Sequence, residues 1–217
     1  MKDGGLMDYG NAFGIETYET GDTTIEGQPA RCVSGSRVYD TTVDDLWDAL
    51  TNPERLPRWF LPISGDLKAG GHYQLEGHAG GKIITCDPPQ KFHATWEYGD
   101  DISWVTVSVE TVSDKTRLTL EHVMLKDEKS EAHWQKYGPG ATGVGWDLAF
   151  LALDYVLSHD GVAIDPDENN AWLSSDAGKA FMRKSAKRWG EAHTAAGEAP
   201  ATAHAMAENT ASFYTGE

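Results

Sequence analysis

Thr41-Thr42-Val43-Asp44-Asp45-Leu46-Trp47-Asp48-Ala49-Leu50-Thr51-Asn52-Pro53-Glu54-Arg55-Leu56-Pro57-Arg58-Trp59-Phe60 is the stretch on which the fold turns. Thr42 is placed to cap a helix, because a threonine oxygen can accept a hydrogen bond from a free amide of the first turn. Asp44 and Asp45 suit the positive helix start. Leu46, Trp47 and Leu50 recur at helical spacing and mark a buried face. Pro53 breaks that helix, and a second short turn ends in two adjacent aromatics, Trp59 and Phe60. Beyond Phe60 the chain reads as a run of strands and then one long helix. That order suggests a sheet curled around a helix, with a cavity between them.

Upstream of the capped helix, the β-branched and aromatic content of Arg31 to Tyr39 predicts a first strand. Downstream, six candidate strands centre on Gly65 to Leu67, His72 to Glu76, Lys82 to Cys86, Phe92 to Tyr98, Ser103 to Val112 and Arg117 to Leu125. Gly70-Gly71, Gly80-Gly81, Pro88-Pro89, Gly99-Asp100-Asp101 and Ser113-Asp114-Lys115 separate them with turn chemistry. Three alternating sets each fall on one face: Val105, Val107 and Val109; Leu118, Leu120 and His122; Phe92, Ala94 and Trp96. Short strands joined by tight turns in sequence make an antiparallel meander.

The pattern breaks over Glu128 to Thr142. A helix is then predicted from Gly143 to Gly145 as far as Ser158, with Trp146, Ala149, Phe150, Leu153 and Leu157 at spacings of three and four. Leu148, Leu151 and Tyr155 broaden its apolar stripe, and Asp147 and Asp154 are expected to share the solvated side. Such a helix needs a concave surface to lie in. Gly138-Pro139-Gly140 and Gly143-Val144-Gly145 read as a flexible lip and a helix start, with the lip controlling access to any pocket.

Composition narrows the partners. The 217 residues fit one domain with extensions, and 40% hydrophobic content with eight tryptophans can fill a sizeable core. A formal net charge of -16 disfavours a nucleic-acid backbone or an anionic membrane as a general partner. No apolar run is long enough to span a bilayer, and Met1 to Gly14 lacks the basic start and apolar segment of a secretory signal, so a cytoplasmic location is expected. Cys32 and Cys86 stand far apart and read as reduced packing thiols.

The expected organisation has three parts. Residues 1–30 hold six acids against Lys2 alone and read as a mobile or loosely draped extension. The strands and long helix occupy 31–158. In 159–217, Asp165 to Asn170 reads as an acidic link, a helix capped by Ser174 or Ser175 reaches Ala196, and a last helix runs from Thr202 to Tyr214. Met182, Ala186, Trp189 and Ala196 form the apolar stripe of the longer helix, opposite Lys179, Arg183, Lys184, Lys187 and Arg188. These helices are expected to pack on the domain or to carry a homodimer contact. The basic face would answer the general acidity or dock an acidic partner.

Taken together, Thr42 to Glu54, Trp59-Phe60, the Gly70-Gly71-His72-Tyr73 turn, Asp87-Pro88-Pro89 with Phe92 to Trp96, Thr116 to His122, and Gly145-Trp146 resemble the SRPBCC or START-like superfamily. More narrowly, they resemble the branch named after activators of the heat-shock protein 90 ATPase. The resemblance covers 31–158 and implies an α+β helix-grip fold: a curved antiparallel sheet of about seven strands grips the long helix and two short helices close one end, and the extra carboxyl-terminal helices of 159–217 lie outside it. It also implies a cavity for a hydrophobic small molecule. The superfamily hosts lipid carriers, hormone receptors, cyclases and stress proteins, so the fold leaves the function open.

Trp59, Phe60, Tyr73, Trp96, His122, Trp146 and Phe150 are the candidate ligand-binding residues, since such a space is bounded by inward side chains of sheet and helix. Trp104 is a weaker candidate, because Val105 and its alternates look more inward. The plainer alternative is that these aromatics simply fill the core. His122 could act as acid or base near neutral pH, or orient the pocket as a satisfied hydrogen-bonder. No catalytic residue is assigned, and no cofactor is expected. The eight histidines are scattered without metal-ligand spacing, and neither a phosphate-cradling loop nor a nucleophile elbow is present. Three functions compete: binding of a hydrophobic small molecule, a cyclase or aromatase acting on a polyketide-like substrate through His122 or Tyr73, and an accessory role for a chaperone ATPase. The last is suggested only by the branch name, and the acidic, unpatterned first thirty residues do not resemble an activator's extra domain.

Overall fold

Thr42 Oγ1 accepts the Asp45 amide at 3.3 Å, and α1 (Val43–Thr51) runs on behind that cap. Arg55 then ties the following turn back to the helix by pairing with Asp45 at 2.8 Å and Asp48 at 2.9 Å. In this computed structural model, which describes Tyr9 and residues 17–217, α1 and the short turn Leu56–Arg58 close one end of a single eight-stranded antiparallel sheet.

The strands are β1 (Thr17–Ile25), β2 (Gln28–Tyr39), β3 (Ile63–Gly65), β4 (His72–Leu75), β5 (Gly80–Asp87), β6 (Lys91–Tyr98), β7 (Asp101–Val112) and β8 (Lys115–Leu125). Their order across the sheet is β1-β2-β8-β7-β6-β5-β4-β3. Val33 opposes His122 and His122 opposes Val105, so Val33 and Gly35 share a face with Leu118, Leu120 and His122, and with Val105, Val107 and Val109. That inner face grips α3 (Gly140–Ser158). The Tyr39 hydroxyl donates to the Phe150 carbonyl at 3.2 Å, and a Cβ on Gly35 would stand 3.2 Å from the Phe150 ring. The helix-grip fold is therefore the observed architecture.

Several local expectations are corrected. Part of the segment read as a loose extension, Thr17–Ile25, is the edge strand β1, paired with β2 from Thr17↔Ser36 to Ile25↔Gln28. Its acids conceal a run of β-prone Tyr and Thr that pairs once β2 offers an edge. Tyr9 donates to Asn169 at 2.9 Å, and the rest of 1–16 lies outside the described residues. The broken pattern after Leu125 contains α2 (Glu128–Tyr137), opened by a capping box in which Asp127 and Ser130 satisfy each other's amides. The acidic link is the start of α4 (Pro166–Ser174), with Asp165 accepting the amides of Asp167 and Glu168.

The supposed lip is packed structure. Gly140 and Gly143 belong to α3, where they face Thr210 of α6 (Pro200–Thr215) and Trp189 of α5 (Asp176–Ala195). Asp147, expected in solvent, is 3% exposed and accepts hydrogen bonds from Ser185 at 2.5 Å and the Trp189 indole at 3.1 Å. Asp154 pairs with Arg37 across to β2. The basic face of α5 is answered within the chain: Lys179 and Arg183 meet Glu217, Lys187 lies 3.7 Å from Glu191, and Arg188 sits over the Tyr18 ring. Met182, Ala186 and Trp189 join Val33, Val144 and Leu151 in one core cluster, so α3 is buried on its sheet side and its α5 side alike.

Candidate functional site

Two further core clusters meet on the sheet side of α3. One joins α1, β7, β8 and α3 through Leu46, Trp47, Val107, Leu120 and Phe150, and the other joins β3 to β7 through Tyr73, Leu75, Ala94 and Val105. Between them lies a cavity of about 160 Å3. No charged side chain lines it. Trp59, Phe60, Tyr73, Trp96, Trp146 and Phe150 all do, as six of the seven candidate positions.

An aromatic wall runs along this space. Trp59 stacks on Phe60 at 5.4 Å between ring centroids, Phe60 on Trp146 at 6.3 Å, and Trp146 meets Trp96 edge-on at 5.2 Å. Most of its polar atoms are committed to the protein. Trp59 Nε1 donates to the Ala49 carbonyl at 2.9 Å, Tyr73 to the Thr95 carbonyl at 2.7 Å, and Thr51 to the Trp47 carbonyl at 2.7 Å. Burial, reinforced by the nearby Glu97 charge, pushes the Tyr73 phenol far above its usual range.

His122 stands outside the lining, beside Trp146 and Trp96. It is 7% exposed. The Trp146 indole, which can only donate, points Nε1 at His122 Nδ1 over 3.1 Å, so the ring proton resides on Nε2. Nε2 then donates to Ser103 Oγ at 2.8 Å, and the Ser103 hydroxyl donates to the Trp96 carbonyl at 3.0 Å. Burial drives the His122 pKa down to about 4, which keeps the imidazole neutral at pH 7. Its geometry is that of a brace between the helix and the sheet.

Trp104 is buried but belongs to the opposite sheet face, opposite Thr95 and Val123. Cys86 and Ile83 were missed as lining residues. Three positions apart, they would fall on opposite faces of a regular strand. A register shift between Ile83 and Thr85 turns both toward the cavity. Among the described residues, no group of three or more His, Cys, Asp or Glu side chains could hold a metal ion, and no helix is long and apolar enough to cross a membrane.

A curved sheet gripping a helix over an apolar cavity defines a helix-grip protein, and comparison with known sequences places it further. Residues 40–158 match the family described as activator of Hsp90 ATPase homolog 1-like protein, and the chain belongs to that family. Among solved structures it is similar to CalU16 from Micromonospora echinospora, with 29% identity and a TM-score of 0.64 over 84% of this chain and 99% of that one. MLL2253 from Mesorhizobium loti shares the fold at 21% identity and a TM-score of 0.51, over 59% of this chain and 98% of that one. DynU16, a protein of the dynemicin biosynthetic locus, does so at 18% and 0.53, over 59% and 48%. The comparison with curated proteins finds no match.

Proposed function

We propose that the cavity is the binding site of a neutral, largely apolar small molecule and that the chain acts by holding it. One observation carries this: a roughly 160 Å3 space is kept open amid aromatic and aliphatic side chains whose phenol, hydroxyl and most indole hydrogen-bond donors are already used inside the protein. Such a lining recognises shape and apolar surface and penalises charge. An apolar cavity of about 150 Å3 takes up a benzene-sized guest, which sets the scale of ligand that fits without further opening.

Catalysis of the cyclase type has less support. Tyr73 holds its proton against the Thr95 carbonyl, and neutral His122 turns both ring nitrogens to Trp146 and Ser103. Neither is poised to exchange a proton with a guest at pH 7.

Native mass spectrometry after exposure to small aromatic compounds tests the binding role, with Ala149→Leu as the comparison. Ala149 lines the cavity from α3, and a leucine there fills the space while preserving helix propensity. Uptake of one guest by the wild type and its loss in a folded Ala149→Leu variant is the expected result. Equal uptake by both would place the guest elsewhere.

A further inference from the structure

The hydrogen-bond donors of the cavity lining divide unevenly. Trp59, Tyr73, Thr51 and Trp146 each donate to a group of the protein itself. Trp96 does not: its carbonyl accepts from Ser103, but among the described residues its indole N–H makes no hydrogen bond. Among the described residues, the other side-chain donor of the lining without a hydrogen bond is the Cys86 thiol, a weak one.

Trp96 is also held firmly. Its ring meets Trp146 edge-on at 5.2 Å, His78 at 5.5 Å and His122 at 6.1 Å, and its backbone is fixed in the β6–β7 ladder opposite Ser103. The same His122 that uses up the Trp146 indole N–H therefore packs against the indole whose N–H is left open. An uncommitted donor on a residue that lines an apolar space without charged groups selects a guest with an acceptor oxygen and no charge. A carboxylate would enter without a countercharge, and a guest with no acceptor would leave the indole N–H unpaired.

Resting on the binding role proposed above, we infer that the ligand is a neutral ring compound bearing a carbonyl oxygen and that Trp96 Nε1–H donates to that oxygen. Trp96 is thus the specificity-determining residue of a cavity that otherwise reads only shape.

The test uses two guests of one shape, acetophenone and α-methylstyrene, which differ by an oxygen in place of a methylene group. Their affinities are measured by calorimetry on the full chain, as wild type, Trp96→Phe and Trp104→Phe. The ratio of acetophenone to α-methylstyrene affinity is expected to fall roughly three- to tenfold from wild type to Trp96→Phe, the loss of one hydrogen bond. It should hold in Trp104→Phe, whose ring lies on the opposite sheet face and outside the cavity lining. If the ratio is unchanged in Trp96→Phe while α-methylstyrene still binds, the inference is overturned and the binding role stands. An equal fall in both variants overturns it as well. If the wild type binds neither guest, the binding role fails and takes the inference with it. Should Trp96→Phe not fold, the wild-type indole proton resonance of Trp96 decides. A downfield shift with acetophenone and none with α-methylstyrene supports the inference, and identical shifts refute it.

Discussion

Replacing Gly143 by alanine sets two effects against each other, and the structure decides the sign. In an isolated helix the change stabilises by about 1 kcal/mol, because alanine loses less conformational freedom than glycine. In α3 the added Cβ would lie within 2.5 Å of Trp189 Cε2, Nε1 and Cδ2. That ring is 0% exposed and cannot swing into solvent. Either α3 and α5 separate or the indole tilts, and tilting weakens its 3.1 Å hydrogen bond to Asp147. Overpacking costs about 1–3 kcal/mol and the weakened hydrogen bond about 1 more. After subtracting the propensity gain, Gly143→Ala should destabilise by about 2 kcal/mol, a fall in Tm of roughly 4–8 °C for a chain of this size. Urea titration and thermal melting of wild type, Gly143→Ala, Trp189→Phe and the double variant would measure it. In the Trp189→Phe background the alanine should cost at least about 1 kcal/mol less, a coupling that contact between the two sites requires. A neutral or stabilising Gly143→Ala, or strictly additive effects, would refute the close approach of α3 and α5.

The same geometry yields further outcomes. The folded His122 pKa of about 4 lies below the usual value of 6.5, so its contribution to stability is fully present above pH 6.5 and is lost as pH falls toward 4, where only the unfolded chain readily takes the proton. Between pH 7 and pH 4.5 the stability advantage of wild type over His122→Asn should shrink by roughly 2 kcal/mol, and parallel pH profiles would show that His122 is not buried neutral. Cys86 lines the cavity and Cys32 does not, so a bound aromatic guest should slow alkylation of Cys86 and leave Cys32 unchanged. Burial pushes the Cys32 thiol up to about 11, so it should alkylate slowly at pH 7 with or without a guest. Ala149→Leu should abolish guest uptake without loss of Tm, because it fills existing space.

Much of this architecture is written in local chemistry. The Thr42 cap, the alternation of Val105, Val107 and Val109, and that of Leu118, Leu120 and His122 depend on periods of a few residues. A single sequence displays such periods directly. The same periods place Trp96 of β6 and Trp146 and Phe150 of α3 toward one interior, three of the six candidate positions that line the cavity; Trp59 and Phe60 reach it from the turn after α1 and Tyr73 from β4.

What the sequence could not display depends on partners far along the chain. β1 exists because β2 presents an edge to it. Asp147 is buried because α5 delivers Ser185 and Trp189 some forty residues later, and an acid at that spacing otherwise reads as a solvated face. Cys86 reaches the cavity through a register shift that alternation cannot foresee. Above all, the state of each polar atom in the lining was decided only in three dimensions. The sequence supplies four tryptophans and tyrosines as candidate donors, Trp59, Tyr73, Trp96 and Trp146, all chemically free. Folding commits Trp59 to Ala49, Tyr73 to Thr95 and Trp146 to His122, and leaves Trp96 open. Side-chain periodicity fixes which way a residue faces, but hydrogen bonds within reach of about 3 Å depend on which distant groups the completed fold brings there.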